Sequence, residues 1–290
     1  AAEDDAALAR EGVREPSAAE GGPRRPRMEL GTLLPVLQGS NKQNITVKEV
    51  LSHYGRLKPW IPFYTATFDD SGKLSKKYYR TRPEENFSLK VAEDLYLRND
   101  YPDSIVKIIA DSDLLSRRVY KYSDLSYFLF KEYLENTGGK DLDHLTQENY
   151  YQSLGAHTMG YKPLSRFAKS KIVPSENDTY WRMQQVHGYV HDMGAAMEDN
   201  IGGHAGLFSN ANDVAKMMQM YLQNGYYGGK RYFSKETMNA FNTCYYCKDD
   251  VRRGVGFDKP QLGTVGPTCG CVSRESFGHS GFTGTLTWAD

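Results

Sequence analysis

The chain has 290 residues, with 36 Lys+Arg set against 36 Asp+Glu, and its formal net charge of zero excludes a general basic field for nucleic acid or an anionic membrane. Hydrophobic residues make up 39%, with 21 Tyr and 12 Phe, which suits a sizeable core and excludes disorder over most of the length. No apolar run approaches the ~18 residues of a membrane span, the acidic N-terminus has no signal-peptide-like segment, and four cysteines do not make a disulfide-dense scaffold.

Residues 1–27 differ from the rest of the chain. Twenty-two of them are Ala, Arg, Glu, Gly or Pro, and Lys, Asn, Tyr and Phe are absent. Such a shift reads as a foreign leader or tail, with a short helix over 2–14 broken by Pro16, Gly21, Gly22, Pro23 and Pro26. From Met28 onward a single domain over 28–290 is expected. Thr46 to Tyr54 reads as a helix stopped by Gly55, and Asp103 can cap a helix that turns Ile105, Ile108 and Ile109 inward. Ser123 to Asn136 carries Leu125, Phe128, Leu129 and Leu134 at helical spacing before Gly138-Gly139, and Leu142 to Leu154 gives another helix. Asn210 to Asp213 caps a run with Val214, Met217, Met218 and Leu222 inward, and Ser234 starts a short helix through Phe241. Strand-like segments come late, at Gly254 to Phe257, Ser276 to His279 and Thr283 to Trp288. A helical body followed by an incomplete antiparallel sheet predicts an α+β fold.

Three segments can carry chemistry. Tyr122-Ser123-Asp124 precedes a helix that Ser123 or Asp124 can cap, leaving Tyr122 projecting at its start. His279-Ser280-Gly281-Phe282-Thr283-Gly284-Thr285 places small residues in a strand, where another backbone can approach closely. Gly202-Gly203-His204-Ala205-Gly206-Leu207-Phe208-Ser209 is a glycine-dense loop feeding the helix capped at Asn210.

Together with Gly39-Ser40-Asn41-Lys42, Ile172 to Glu176, Val190-His191-Asp192 and Gly254 to Pro260, these segments resemble the serine hydrolases related to class C β-lactamases and DD-peptidases. The likeness runs from about Leu33 to Asp290 and is greatest to a subgroup of Bacteroidetes-type bacteria often attached to a sugar-cleaving domain. The resemblance implies that Tyr122 shuttles protons and that Asp124 stands where the family often has Asn. It also makes His279 and Gly281 the strand motif beside the site, with the Phe282 N–H as an oxyanion donor. The family's Ser-x-x-Lys pair is expected before Leu33, where none occurs. The one such pair, Ser104 and Lys107, falls on the polar face of its helix. The resemblance implies further strands beyond Asp290, so the domain reads as truncated at both ends and its chemistry as impaired. No cofactor is required, and an extracytoplasmic location is implied.

Other readings stay open. Cys244-x-x-Cys247 and Cys269-x-Cys271 suit a structural zinc site, disulfides or thiols equally. His187, His191 and His204 with Asp192 allow a weaker metal reading. A non-catalytic pseudoenzyme, or a glycoside hydrolase using carboxylates such as Asp124, Glu176, Asp178 and Asp192, are the alternatives to an amide or ester hydrolase. Expected partners are a small-molecule, peptidoglycan-like or glycan substrate, with self-association completing the sheet.

Overall fold

Most helices begin where a side chain can satisfy their first N–H groups. In the computed structural model, which describes residues 28–247, 251–261, 266–268 and 270–290, helix α1 (Leu30–Leu33) leads into α2 (Val47–Leu51). Thr46 caps α2 in a capping box: its hydroxyl accepts the Glu49 N–H at 3.3 Å and Glu49 Oε2 accepts the Thr46 N–H at 2.8 Å. Helix α3 (Tyr101–Asp111) buries Tyr101, Ile105, Val106 and Ile109. Its C-terminal end is held by the buried Lys42 ammonium, which donates to the Ala110 carbonyl at 3.1 Å and to the Ser112 carbonyl, where a cation complements the helix dipole. Burial lowers the Lys42 pKa to about 8.

Helix α4 (Leu125–Gly138) ends at Gly139, whose φ of 65° is the left-handed stop expected of glycine. The predicted helix over 142–154 forms as α5 (Leu142–Thr146), a π-helical turn (Gln147–Tyr151) and α6 (Gln152–Leu154). Then come α7 (Met193–Met197), α8 (Ala211–Leu222) with Asn210 Oδ1 accepting the Asp213 N–H at 2.9 Å, and α9 (Lys235–Asn242) capped by Ser234.

Strands are short, and every strand pairing among the described residues is antiparallel. β1 (Tyr79–Arg80), β2 (Leu89–Ala92) and β3 (Leu95–Leu97) form a sheet in the order β1-β3-β2. Hairpins pair β4 (Glu176–Asp178) with β5 (Gln184–Val186) and β6 (Tyr226–Tyr227) with β7 (Lys230–Arg231). The late hairpin joins β8 (Phe277–Ser280) to β9 (Leu286–Ala289), and Phe277 and Ala289 pack on Met218 of α8. The main core gathers α1 to α4, α7, the β1–β3 sheet and Trp181. A second, around Tyr150, Tyr151, Met220 and Phe233, joins the π-helical turn to α8.

Two differences from the sequence reading have local causes. The three-stranded sheet falls inside the predicted helical body. Its strands are too short to show a period, and its tight β2–β3 turn uses Asp94 at φ 48° rather than a glycine. The strand predicted over 254–257 is a turn instead: Gly256 has φ 82° and the Gly254 N–H donates to the Phe257 carbonyl at 2.8 Å. The helix predicted over 2–14 lies outside the described residues.

Candidate active site

Tyr122 owes its position to the loop before α4. The Ser123 hydroxyl donates to the Lys58 carbonyl at 2.6 Å and accepts the Leu125 N–H at 3.2 Å. The Ser123 N–H donates to His53 Nδ1 at 3.2 Å, and the Asp124 N–H to the Pro59 carbonyl at 3.2 Å. Ser123 therefore serves the helix start, while the Asp124 side chain makes no capping bond and interacts with His204, Asp192, Tyr122 and His279.

The Tyr122 ring lies against His53, with centroids 4.4 Å apart, and 6.0 Å from the His279 ring on β8. Arg253, buried, sits over the same ring at 5.3 Å. Its Nη1 pairs with Asp258 Oδ1 at 2.5 Å, and its Nη2 meets His279 Nε2 at 3.1 Å. His279 Nδ1 is 2.7 Å from the Ser280 carbonyl. The neutral Nδ1–H tautomer satisfies both contacts, donating to the carbonyl and accepting from the guanidinium.

Burial sets the electrostatics. It pushes the Tyr122 hydroxyl well above its ordinary pKa, with Tyr127 and Asp124 adding and Arg253 opposing. It also raises the Asp124 carboxyl, with Asp192 adding, against His204, a hydrogen bond from Tyr122, and His279. His53 is driven down to about 2 by burial, then by Arg253 and His279. Its Nε2 is buried without a partner. In this state Tyr122 is a proton donor, and Arg253 is the cation that favours its deprotonation.

Behind α4 lies a second polar cluster. Asp192 caps α7, accepting the Ala195 N–H at 2.8 Å, and its Oδ1 is also 2.8 Å from His204 Nε2. His204 stacks on Phe128 at 4.2 Å, and its Nδ1 is buried without a partner. The glycines of this loop are required by close approach: a Cβ on Gly203 would strike the Tyr127 carbonyl, and one on Gly202 the Ala195 side chain. Burial raises the Asp192 carboxyl, but His204 and the Ala195 N–H outweigh it and hold the group at about 2. Burial lifts Glu198 nearby to about 7. A cavity of about 340 Å³ opens beside His204, Lys131 and Tyr161.

Arg182 ties the Val190-His191-Asp192 segment to β4. It donates to the carbonyls of Val190 at 2.7 Å and His191 at 2.6 Å, and pairs with Asp178 at 2.8 Å and Glu176 at 3.3 Å. Asp178 and Asp192 thus both have fixed structural partners.

Of the predicted site residues, Tyr122, Asp124 and His279 converge. Gly281 closes the β8–β9 turn, its N–H donating to the Thr285 carbonyl at 2.7 Å, and Phe282 stands at the tip, 90% exposed and stacked on His191 at 5.3 Å. Ser104 and Lys107 stand on α3 away from its buried face, with Lys107 exposed. Sequence reasoning missed His53 and Arg253. Neither sits in a distinctive motif, although Arg253 directly precedes the Gly254-Val255-Gly256 turn.

Cys244 and Cys247 form a disulfide, one of the alternatives left open by their spacing, while Cys269 lies outside the described residues. Tyr54 holds that loop, its hydroxyl donating to the Tyr246 carbonyl at 3.1 Å. His187 Nε2 is 2.7 Å from the Ile172 carbonyl, and among the described residues no group of three or more His, Cys, Asp or Glu is arranged to hold a metal ion. Nor, among them, is any helix long and apolar enough to cross a membrane.

Comparison with known proteins bears on the family and the fold. A "Putative D-alanyl-D-alanine carboxypeptidase" of Escherichia coli O157:H7 is 36% identical over 182 residues, 58% of this chain and 42% of that protein. An N-acetylmuramyl-L-alanine amidase of Bacillus subtilis is 29% identical over 266 residues, 86% of this chain and 54% of its own length. The chain thus spans about half the length of these relatives. The crystal structure of a penicillin-binding protein homologue from Caulobacter crescentus superposes with a TM-score of 0.56 at 15% identity, covering 91% of this chain and 67% of that one. The octameric penicillin-binding protein homologue of Pyrococcus abyssi gives 0.56 at 16% identity, over 99% and 56%. The fold is therefore α+β of the β-lactamase and penicillin-binding-protein type. The family model described as Beta-lactamase matches residues 26–290, and the chain belongs to that family.

Proposed function

We propose that the cleft between Tyr122 and the β8–β9 hairpin recognises an amide or ester carbonyl of a peptidoglycan-type substrate, in a hydrolase site that is impaired in the chain as it stands. One observation carries this reading. Tyr122 and His279 lie 157 positions apart in sequence, yet their rings come within 6.0 Å, with Arg253 contacting both.

In this reading Tyr122, protonated, donates a hydrogen bond to the leaving-group atom of the bound substrate, with no bond broken. Arg253 holds the phenol and His279 in place, and the backbone N–H of Phe282 at the hairpin tip polarises the carbonyl. The impairment rests on the local serines. The Ser123 hydroxyl is committed to the Lys58 carbonyl, and Ser280 alternates with His279 along β8, so it faces away from it. The names of the carboxypeptidase and amidase relatives both denote cleavage of cell-wall amide bonds, which supports the substrate class and an extracytoplasmic setting. The Cys244–Cys247 disulfide suits such an oxidising compartment.

The test is penicillin treatment followed by mass spectrometry, alongside equilibrium binding of a D-Ala-D-Ala-terminated peptide. Reversible peptide binding without a stable serine adduct is expected. A stable adduct would overturn the impairment, and failure to bind the peptide would overturn the substrate class.

A further inference from the structure

We infer that an aromatic shelf beside this cleft binds a pyranose ring, so that the substrate is recognised by its glycan as well as by its peptide. The placement of the shelf along a substrate rests on the peptidoglycan reading of the cleft; the sugar-binding chemistry does not.

The shelf consists of Trp60, Tyr64 and Tyr180. Trp60 and Tyr180 are 42% and 44% exposed. Tyr64 lies between them, its ring centroid 6.5 Å from that of Trp60 and 6.1 Å from that of Tyr180. The shelf is held from below, because Tyr64 also packs 5.8 Å from buried Trp181, whose indole N–H donates to the Tyr79 hydroxyl at 3.0 Å. Tyr64 is thus fixed at little entropic cost on binding, with the Trp60 and Tyr180 rings tilted 46° and 52° to its plane.

The shelf adjoins the loop that carries Asp124 and the start of α7. Trp60 follows Pro59, whose carbonyl accepts the Asp124 N–H, and the Tyr180 hydroxyl lies 3.3 Å from the sulfur of Met193, the residue after Asp192.

Its polar edge selects among ligands. The Tyr180 hydroxyl donates to Glu176 Oε1 at 2.7 Å, while Glu176 Oε2 is 3.3 Å from Arg182 Nη2. Arg182 is shared between Asp178 at 2.8 Å and Glu176 at 3.3 Å, so Glu176 keeps part of its charge and a cationic ligand is the competitor to be excluded. The Glu176 oxygens still accept hydrogen bonds. A purely apolar ligand would cover these polar atoms without matching them, at a desolvation cost. A pyranose suits both parts, with its C–H face on the rings and its hydroxyl groups toward Glu176.

The experiment is titration of the whole chain with N,N′,N″-triacetylchitotriose, read by tryptophan fluorescence and calorimetry. Trp181 is 1% exposed and Trp288 on β9 is half-buried, so the Trp60 variants assign the fluorescence change to the shelf. Saturable binding is expected, weakened about tenfold by Trp60→Ala and within about threefold of the parent in Trp60→Phe, which keeps a ring face. Circular dichroism of each variant establishes that it is folded. Absence of saturable binding up to about 10 mM overturns the inference. So does binding unchanged in folded Trp60→Ala, or displacement of the sugar by a lysine-rich peptide, which would mark a cation site. Loss of D-Ala-D-Ala peptide binding with chitotriose binding retained would sink the cleft assignment and leave the shelf standing.

Discussion

Two clusters of titratable groups flank the start of helix α4, and their histidines shift in opposite directions. Around Tyr122 the fixed charge is a cation: Arg253 acts with burial on His53, keeping it neutral, and against burial on Tyr122. Around His204 the fixed charges are carboxylates. There Asp192, Asp124 and Glu198 act against burial, and the histidine is raised instead of lowered. Burial alone does not assign a protonation state: carboxylates overturn it at His204, whereas at Glu198 burial prevails over Lys131. The first cluster holds a neutral histidine and a protonated phenol. The second holds an ion pair that pins the glycine loop to α4 and α7.

The largest expected effect comes from breaking the second cluster. Asp192→Ala removes the cap of α7 and leaves His204 buried without its carboxylate, which should cost about 3 kcal/mol in urea unfolding. A loss under about 1 kcal/mol would show that the pair contributes no more than an exposed ion pair does.

The next two effects are pH slopes of opposite sign. Folded His53 titrates near 2, below its ordinary 6.5, so its contribution is fully present above about pH 6.5 and is lost as pH falls toward 2. The limiting slope is about 1.4 kcal/mol per pH unit. His53→Asn, which tolerates the φ of 59° at this position, should flatten the acid limb of a plot of unfolding free energy against pH. Folded Glu198 titrates near 7, above its ordinary 4.5, so its contribution is complete below about pH 4.5 and is lost as pH rises to 7. Glu198→Gln should therefore be more stable than the parent at pH 8 relative to pH 4. Slopes of the reverse sign in either variant would contradict the contrast between the clusters.

How much of the fold and the site is legible in the sequence depends on the kind of signal. Helices α4, α8 and α9 announce themselves through Gly139, Asn210 and Ser234, because capping is a local backbone requirement. The β1–β3 sheet does not, since two- to four-residue strands joined by a non-glycine turn leave no pattern. Tyr122, Asp124 and His279 are reached only through likeness to a family, and no spacing rule links residues 157 positions apart. His53 and Arg253 are invisible in sequence because their roles arise from packing beneath Tyr122, which is a property of the folded chain. The glycine loop is conspicuous as composition. Its physical reason, the approach to the Tyr127 carbonyl, is a matter of three-dimensional packing.

The smallest expected effect on stability is at the cleft itself. Tyr122→Phe should change the unfolding free energy by less than about 1 kcal/mol, since Tyr122 is 37% exposed and only its hydroxyl is removed. A larger loss would make Tyr122 a structural residue and weaken its assignment to the cleft.

The most direct test of that assignment is a double-mutant cycle on the binding of a D-Ala-D-Ala-terminated peptide, using Tyr122→Phe, His279→Ala and the pair. Residues lining one cleft share a ligand and a common partner in Arg253, so the two losses should be non-additive by at least about 0.5 kcal/mol. Strict additivity, or binding indifferent to both changes, would contradict a single site built from Tyr122 and the β8–β9 hairpin.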